Sequence, residues 1–207
     1  MGSILAFGDS NTWGLIPGTD KRYPWGKRWT SLVQESLEGS RIIEDGLCGR
    51  TTVFEDQLRP FRKGADILPL ALEENYPLDG AIIMLGTNDC KTIFNASEHV
   101  IGKGLEKCLD ELEKYLLPEK ILVISPIRLG EDVWRPEKDP EFDASSVKTS
   151  ISIKQEYEKI ARRRGNRFLA ASDVAVASAV DDEHMDEGGH RALAGAIVQK
   201  LSEMNIA

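Results

Sequence analysis

Three distant stretches of this chain carry the residue types of acyl transfer. Gly8-Asp9-Ser10 ends the apolar run Ile4–Phe7 and supplies a hydroxyl. Gly86-Thr87-Asn88-Asp89 follows the apolar run Ala81–Leu85 and supplies a side-chain amide. Asp181-Asp182-Glu183-His184, near the C-terminus, supplies acids and an imidazole. A neutral serine is a poor nucleophile. It needs a base to take its proton and a third group to orient that base. Of the three histidines, His99 lies near the start of a helical pattern, away from any such block. His190 opens the last helix, where a structural or supporting use suits it. His184 precedes that helix in a loop, three residues after Asp181. A loop can bring its ring to Ser10 and leave Asp181 on the other nitrogen. The catalytic candidates are therefore Ser10, Asp181 and His184.

Acyl transfer also creates an oxyanion, which preorganised N–H donors stabilise by a few kcal/mol each, roughly. The Asn88 amide suits that task. Gly49, in Gly46-Leu47-Cys48-Gly49-Arg50-Thr51-Thr52, can expose its backbone N–H with no side chain in the way. The Ser10 N–H is the third donor candidate. Asp9 is read chiefly as a holder of loop N–H groups, and with Trp13 as a candidate substrate neighbour. Trp13, Tyr23, Pro24, Trp25 and Trp29 cluster after the serine. They suit either a pocket wall or a subunit contact, with Trp29 in the core in both cases. Plainer uses exist for each residue. Ser10 could cap a helix, Asn88 and Asp89 could serve their turn, and Gly49 could give loop flexibility.

These groups need elements to position them. Strand-type runs occur at Ser3–Phe7, Arg41–Asp45, Gly80–Leu85, Lys120–Ser125 and Arg167–Ala171, with helical periodicity between them. Trp29, Leu32, Val33 and Leu37 mark one helix. Leu68 and Leu72 mark another, with Pro69 placed in its first turn. Ser97 caps a long helix, Ile151–Ile160 marks a fourth, and Ala192–Leu201 the last. The run Arg162-Arg163-Arg164 before Gly165 reads as a helix C-terminus complemented by cations. This alternation predicts an α/β fold with a three-layer αβα sandwich and a parallel five-stranded sheet, formed by residues 1–207 as a single domain. Ser10 and Asn88 follow strand ends, where ligands gather in such sheets. Two long irregular stretches, Trp13–Arg28 and Pro126–Asp143, are of the length that carries function.

A net charge of −8 argues against a general nucleic-acid binder. No apolar run has the length of a membrane span, and no secretory signal is read at Met1-Gly2-Ser3-Ile4. Cys48, Cys90 and Cys108 are an odd number without metal-type spacing, which reads as reduced thiols and apolar filling in a cytoplasmic protein. Asp182, Glu183, Asp186 and Glu187 read as a solvated acidic loop before a helix. The pair Asp182 and Glu183 is also expected to raise the basicity of His184.

The order Gly8-Asp9-Ser10, a glycine after the second strand, Gly86-Thr87-Asn88-Asp89, then Asp181 and His184 resembles the GDSL-type SGNH hydrolases. The blocks Glu44–Thr52 and Ile83–Asp89 are similar to those of its arylesterase and acyltransferase branch. The resemblance spans Ile4 to the last helix. It implies a flavodoxin-like sheet, a nucleophile at Ser10, an oxyanion hole of Ser10, Gly49 and Asn88, and an acid–base pair of Asp181 and His184. It also implies homo-oligomeric assembly. Two departures stand out. Asn11 occupies the place of the leucine in the family's name, and Asp181-Asp182-Glu183-His184 replaces the usual Asp-Gly-x-His ending.

The resulting expectation is a serine esterase acting on short acyl esters, acetyl above all, of small alcohols, aryl alcohols or sugars. It needs no cofactor and no metal, and its partner is a small-molecule ester, with no nucleic acid or membrane. An acyltransferase, lysophospholipase or thioesterase would use the same groups. A non-catalytic binding module would share the fold without the full set of residues. A flavin or nucleotide binder is opposed by Asp9, whose charge would repel phosphate in the first loop.

Overall fold

The computed structural model describes residues 2–206. Five strands, β1 (Gly2–Gly8), β2 (Ser40–Gly46), β3 (Gly80–Met84), β4 (Ile121–Ser125) and β5 (Arg167–Ala170), form one sheet. Their order is β2-β1-β3-β4-β5 and every pairing is parallel. Six α-helices connect and flank them: α1 (Ser10–Trp13), α2 (Trp29–Ser36), α3 (Gly64–Asn75), α4 (Glu98–Leu112), α5 (Ala144–Arg164) and α6 (Glu187–Glu203).

The inner strands β1, β3 and β4 are apolar on both faces because both faces are covered, whereas the edge strand β2 carries Arg41, Glu44 and Asp45. Alternate side chains feed two cores. Leu5, Phe7, Ala81, Ile83, Ile121 and Val123 pack with α3, α4 and α5. Ile4, Ala6, Ile82, Met84, Leu122 and Ile124 pack on the opposite side with α2 and α6. The result is the expected three-layer sandwich. The strand ranges fall within a residue or two of those read from the sequence.

Local chemistry sets the helix ends. The Ser97 side chain accepts from the Val100 N–H at the start of α4, and Asp143 and Ser146 form a capping box at the start of α5. Gly165 closes α5 at φ +84, and Arg164 there pairs with Glu113 and Asp110. Pro69 does not lie in a first turn: α3 begins five residues earlier, at Gly64. Its buried face, Leu68, Ala71 and Leu72, outweighs the hydrogen bond that proline forfeits. No helix among the described residues is long and apolar enough to cross a membrane.

The chain leaves β1 for β2 on one side, then crosses to β3 on the other. The carboxyl end of β1 is thus the switch point of the sheet, where loops diverge and leave a crevice. Ser10, Gly49 and Asn88 follow the ends of β1, β2 and β3 in turn.

Candidate active site

The turn after β1 displays the serine. Gly8 ends the strand where a Cβ would lie 2.8 Å from the Met84 carbonyl oxygen and collide with the Thr12 hydroxyl. Asp9, not Ser10, is the cap of α1: its Oδ1 accepts from the Asn11 N–H at 3.0 Å. The Ser10 hydroxyl is therefore free to point elsewhere. It meets His184 Nε2 at 2.8 Å. The other ring nitrogen, Nδ1, lies 2.9 Å from Asp181 Oδ2. With Nδ1 protonated and donating to the carboxylate, Nε2 is left as an acceptor for the serine proton. The structure thus brings Ser10, His184 and Asp181 together across 174 residues of sequence separation.

Asp181 holds more than the ring. Its Oδ1 accepts from the Glu183 and His184 backbone N–H groups at 3.1 and 3.0 Å, and its Oδ2 also accepts from Gly18 N–H at 2.9 Å. Burial pushes this carboxyl up, but the bonds and charge of His184 and the backbone donors outweigh it and hold it below its ordinary value.

The three donor candidates converge on the same rim. Gly49 adopts φ +83, a left-handed conformation that glycine takes without strain. Neither its N–H nor that of Ser10 donates to another group among the described residues. One hydrogen of the Asn88 amide is spent on the Arg50 carbonyl at 3.1 Å, which fixes the side chain and leaves the second hydrogen free. Asp89 serves the neighbouring loop rather than its own turn. It accepts from the Thr52 N–H at 2.9 Å and from the Thr52 hydroxyl. Burial lifts its carboxyl to about 6.

Two residues without a role in the sequence reading bind these loops together. Arg50 is buried. Its guanidinium donates to the Gly8 carbonyl at 3.0 Å and to Asp45, and stacks over Phe7 at 4.0 Å. The Gly49 loop is thereby fastened two residues before the serine. Asn11 does the same for the histidine loop. Its Nδ2 donates to the Glu183 carbonyl at 3.3 Å and its Oδ1 accepts from the Met185 N–H at 3.0 Å, so it grips the backbone on both sides of His184. A leucine there would leave two buried backbone groups unpaired, at a cost of about 1–3 kcal/mol each. The only sequence signal was a buried-type turn carrying an amide where the family's name has leucine.

The acidic stretch before α6 is not uniformly solvated. Asp186 caps α6 through the Gly189 N–H, and Glu187 pairs with Lys27 at 2.7 Å. Asp182, at φ +58, turns away from the imidazole and pairs with Lys138 at 2.6 Å. Glu183 instead is buried, with Oε1 3.7 Å from His184 Nε2. Burial alone would lower the imidazole. The charge of Glu183, the bond and charge of Asp181, and the charge of Asp9 overcome it and raise His184 to about 9. The basicity expected from an acidic pair thus comes from one member of it. A base must be neutral to act, so the acidic limb of the pH–rate profile is expected above the ordinary imidazole range. Removing the negative charge in Glu183→Gln lowers the imidazole pKa, and the limb moves to lower pH. Asp182→Asn leaves it in place. Profiles of kcat/KM against pH for the two single variants check this, and a larger shift in Asp182→Asn would refute it.

Trp13 and Asp9 are not among the residues that line the cleft beside His184. Arg22 lies over the Trp13 ring at 5.4 Å, donates to its carbonyl and reaches Glu44. Asp9 is 1% exposed, and burial raises it to about 7. Trp29 is in the core and Trp25 is exposed. His190 is buried and neutral, held down to about 4 by burial, and its Nδ1 accepts from the Trp29 N–H at 3.3 Å. His99 is exposed beside Glu156. Cys90 and Cys108 fill the core, and the partly buried Cys48 thiol is pushed up to about 11. Among the described residues, no group of three or more His, Cys, Asp or Glu is arranged around a metal position.

The two long irregular stretches form walls of one cleft. It holds about 770 Å³ and ends at Asp181, Glu183 and His184. Leu15 and Asp20 come from the first stretch, and Lys138 and Asp139 from the second. Two bonds stitch them in place: the Gly18 N–H donates to the Asp181 carboxylate at 2.9 Å, and the Gly130 N–H to the Asp182 carbonyl at 2.8 Å.

Comparison with known proteins places this arrangement. The model of the GDSL-like lipase/acylhydrolase family matches residues 6–193. A carbohydrate acetylesterase from Sinorhizobium meliloti superimposes with a TM-score of 0.89 at 31% identity, covering 99% of this chain and 100% of that one. An aryl esterase from M. smegmatis does so with a TM-score of 0.90 at 30% identity, covering 99% and 100%. No curated protein sequence matches the chain. A family model that runs from β1 into α6, and esterases that overlay the whole length, leave one conclusion: the chain belongs to the GDSL-like lipase/acylhydrolase family and is a carboxylic ester hydrolase.

Proposed function

We propose that the protein hydrolyses short-chain acyl esters, acetyl esters above all, through an acyl-enzyme on Ser10. The observation that carries the reading is the continuous hydrogen-bonded line Ser10–His184–Asp181 at 2.8 and 2.9 Å. Ser10 Oγ attacks the ester carbonyl carbon as its proton passes to His184 Nε2. The carbonyl electron pair moves to oxygen, facing the N–H groups of Ser10, Gly49 and Asn88. The intermediate collapses, the C–O bond to the alcohol breaks, and the imidazolium protonates the departing oxygen. A water, deprotonated by the same nitrogen, attacks the acyl-serine. The second collapse releases the acid and returns the proton to Ser10.

The cleft beside His184 offers a long acyl chain little apolar surface, whichever half of the ester enters it. Asp20, Arg59, Glu137, Lys138, Asp139 and Glu141 line it, with Leu15 and Val180 as its apolar side chains. Burying a longer chain would gain about 0.8 kcal/mol per methylene in an apolar groove, and charged walls do not supply that gain. One relative is by name a carbohydrate acetylesterase, which supports the acetyl size class. In a series of 4-nitrophenyl esters, kcat/KM is expected to be highest for acetate and to fall about ten-fold or more by octanoate. A rise with chain length would refute the short-acyl reading.

A further inference from the structure

Glu183 carries a carboxylate whose charge acts on His184 but whose oxygens accept no bond in the proposed chemistry. The residue is 6% exposed, yet neither side-chain oxygen accepts a hydrogen bond from the described residues. It borders the cleft beside His184. Its backbone is fixed on both sides, by the N–H bond to Asp181 and by the Asn11 amide on its carbonyl. The side chain therefore springs from a rigid root. The nearby cations are engaged elsewhere: Lys91 pairs with Glu141 and Lys138 with Asp182. The carboxylate oxygens keep solvent contact at the cleft, so a donor on a cleft-bound molecule can reach them in place of water.

We propose that Glu183 is a substrate-binding residue whose carboxylate accepts a hydrogen bond from a hydroxyl on the alcohol half of the ester. The geometry points to the alcohol half because Glu183 Oε1 lies 3.7 Å from His184 Nε2, the atom that hands the proton to the leaving oxygen. A group bound there sits on the leaving side of the carbonyl. The ligand class is a polyol ester with a free hydroxyl one or two carbons from the ester oxygen. The walls are net acidic, with Asp20, Glu137, Asp139 and Glu141 against Arg59 and Lys138, so a cationic alcohol is the competing ligand that the test separates from a polyol. The inference rests on the esterase reading above and adds a preference that the triad itself does not create.

The test compares two esters of the same acyl group, glycerol monoacetate and ethyl acetate, with the full-length protein. Loss of Glu183 also weakens the charge beside His184, but that effect falls on both esters and cancels in their ratio. Rates are taken on the pH plateau of each variant. The ratio of kcat/KM for glycerol monoacetate over ethyl acetate is expected to fall about ten-fold or more in Glu183→Ala. In Glu183→Gln, which keeps an acceptor oxygen and the volume, the ratio falls less. An unchanged ratio in both variants overturns the assignment. So does a Glu183-dependent preference for acetylcholine over both esters, which would make the ligand a cation. If the wild-type protein hydrolyses neither ester, the short-acyl reading fails and this inference with it. A constant ratio with Ser10-dependent activity sinks the Glu183 assignment alone.

Discussion

Ser10→Ala is expected to lower kcat for 4-nitrophenyl acetate by about 10⁴-fold or more, the scale on which hydrolases lose activity with their nucleophile. The fold should survive, since the Ser10 hydroxyl bonds to the His184 ring and to no other described group. The cap of α1 is Asp9, so the short helix keeps its start. Alanine also relieves a buried hydroxyl, and active-site residues are often held at some cost to stability. Thermal unfolding should therefore occur at the wild-type temperature or slightly above it. A serine-directed sulfonyl fluoride should add one equivalent of mass to the wild-type protein at Ser10 and none to the variant. Residual activity within ten-fold of wild type, in a preparation free of other esterases, would remove Ser10 as the nucleophile.

Asp181→Asn should cost about 10⁴-fold in kcat with a much smaller change in KM. The reason lies in the four donors around this carboxylate: Gly18 N–H, Glu183 N–H, His184 N–H and His184 Nδ1–H. A carboxylate has lone pairs for all four. An amide has one oxygen and one NH₂, so one side of it must set donor against donor. If the NH₂ faces the ring, Nδ1 becomes the acceptor and Nε2 carries the proton, which leaves Ser10 without a base. If it faces the loop, the backbone around His184 loses its anchor and the ring drifts from 2.8 Å. Both orientations disable proton transfer while the cleft walls persist. A variant with wild-type kcat would mean that Asp181 holds neither tautomer nor ring. Asp181→Glu separates the causes, since it restores acceptor capacity at the wrong distance and should recover part of the rate.

Much of the fold could be read along the chain. The strand runs are continuous because their neighbours cover both faces, and that burial is written locally in residue type. The capping residues Ser97 and Gly165 act within one turn, so they too were legible. Ser10, Asn88 and Gly49 could be assigned to the sheet rim because each follows a strand by a few residues. Pro69 was misplaced because the start of α3 depends on what Leu68 and Leu72 pack against, a long-range matter. Trp13 was read as a pocket neighbour from its nearness to Ser10. The ring lies under the Arg22 guanidinium, a contact that no spacing rule connects to it.

The sequence alone determined the order of elements and the rim on which the proposed reacting groups gather, since both follow from local periodicity and residue type. Tertiary structure decided what each side chain faces. Asp182 and Glu183 are adjacent and chemically alike, yet one turns to Lys138 and the other lies buried beside the imidazole. Asn11 and Arg50 tie loops that meet only after the sheet is built. Which neighbour a side chain meets depends on backbone direction and on partners far away in sequence, and those contacts exist only once the chain has closed around its core.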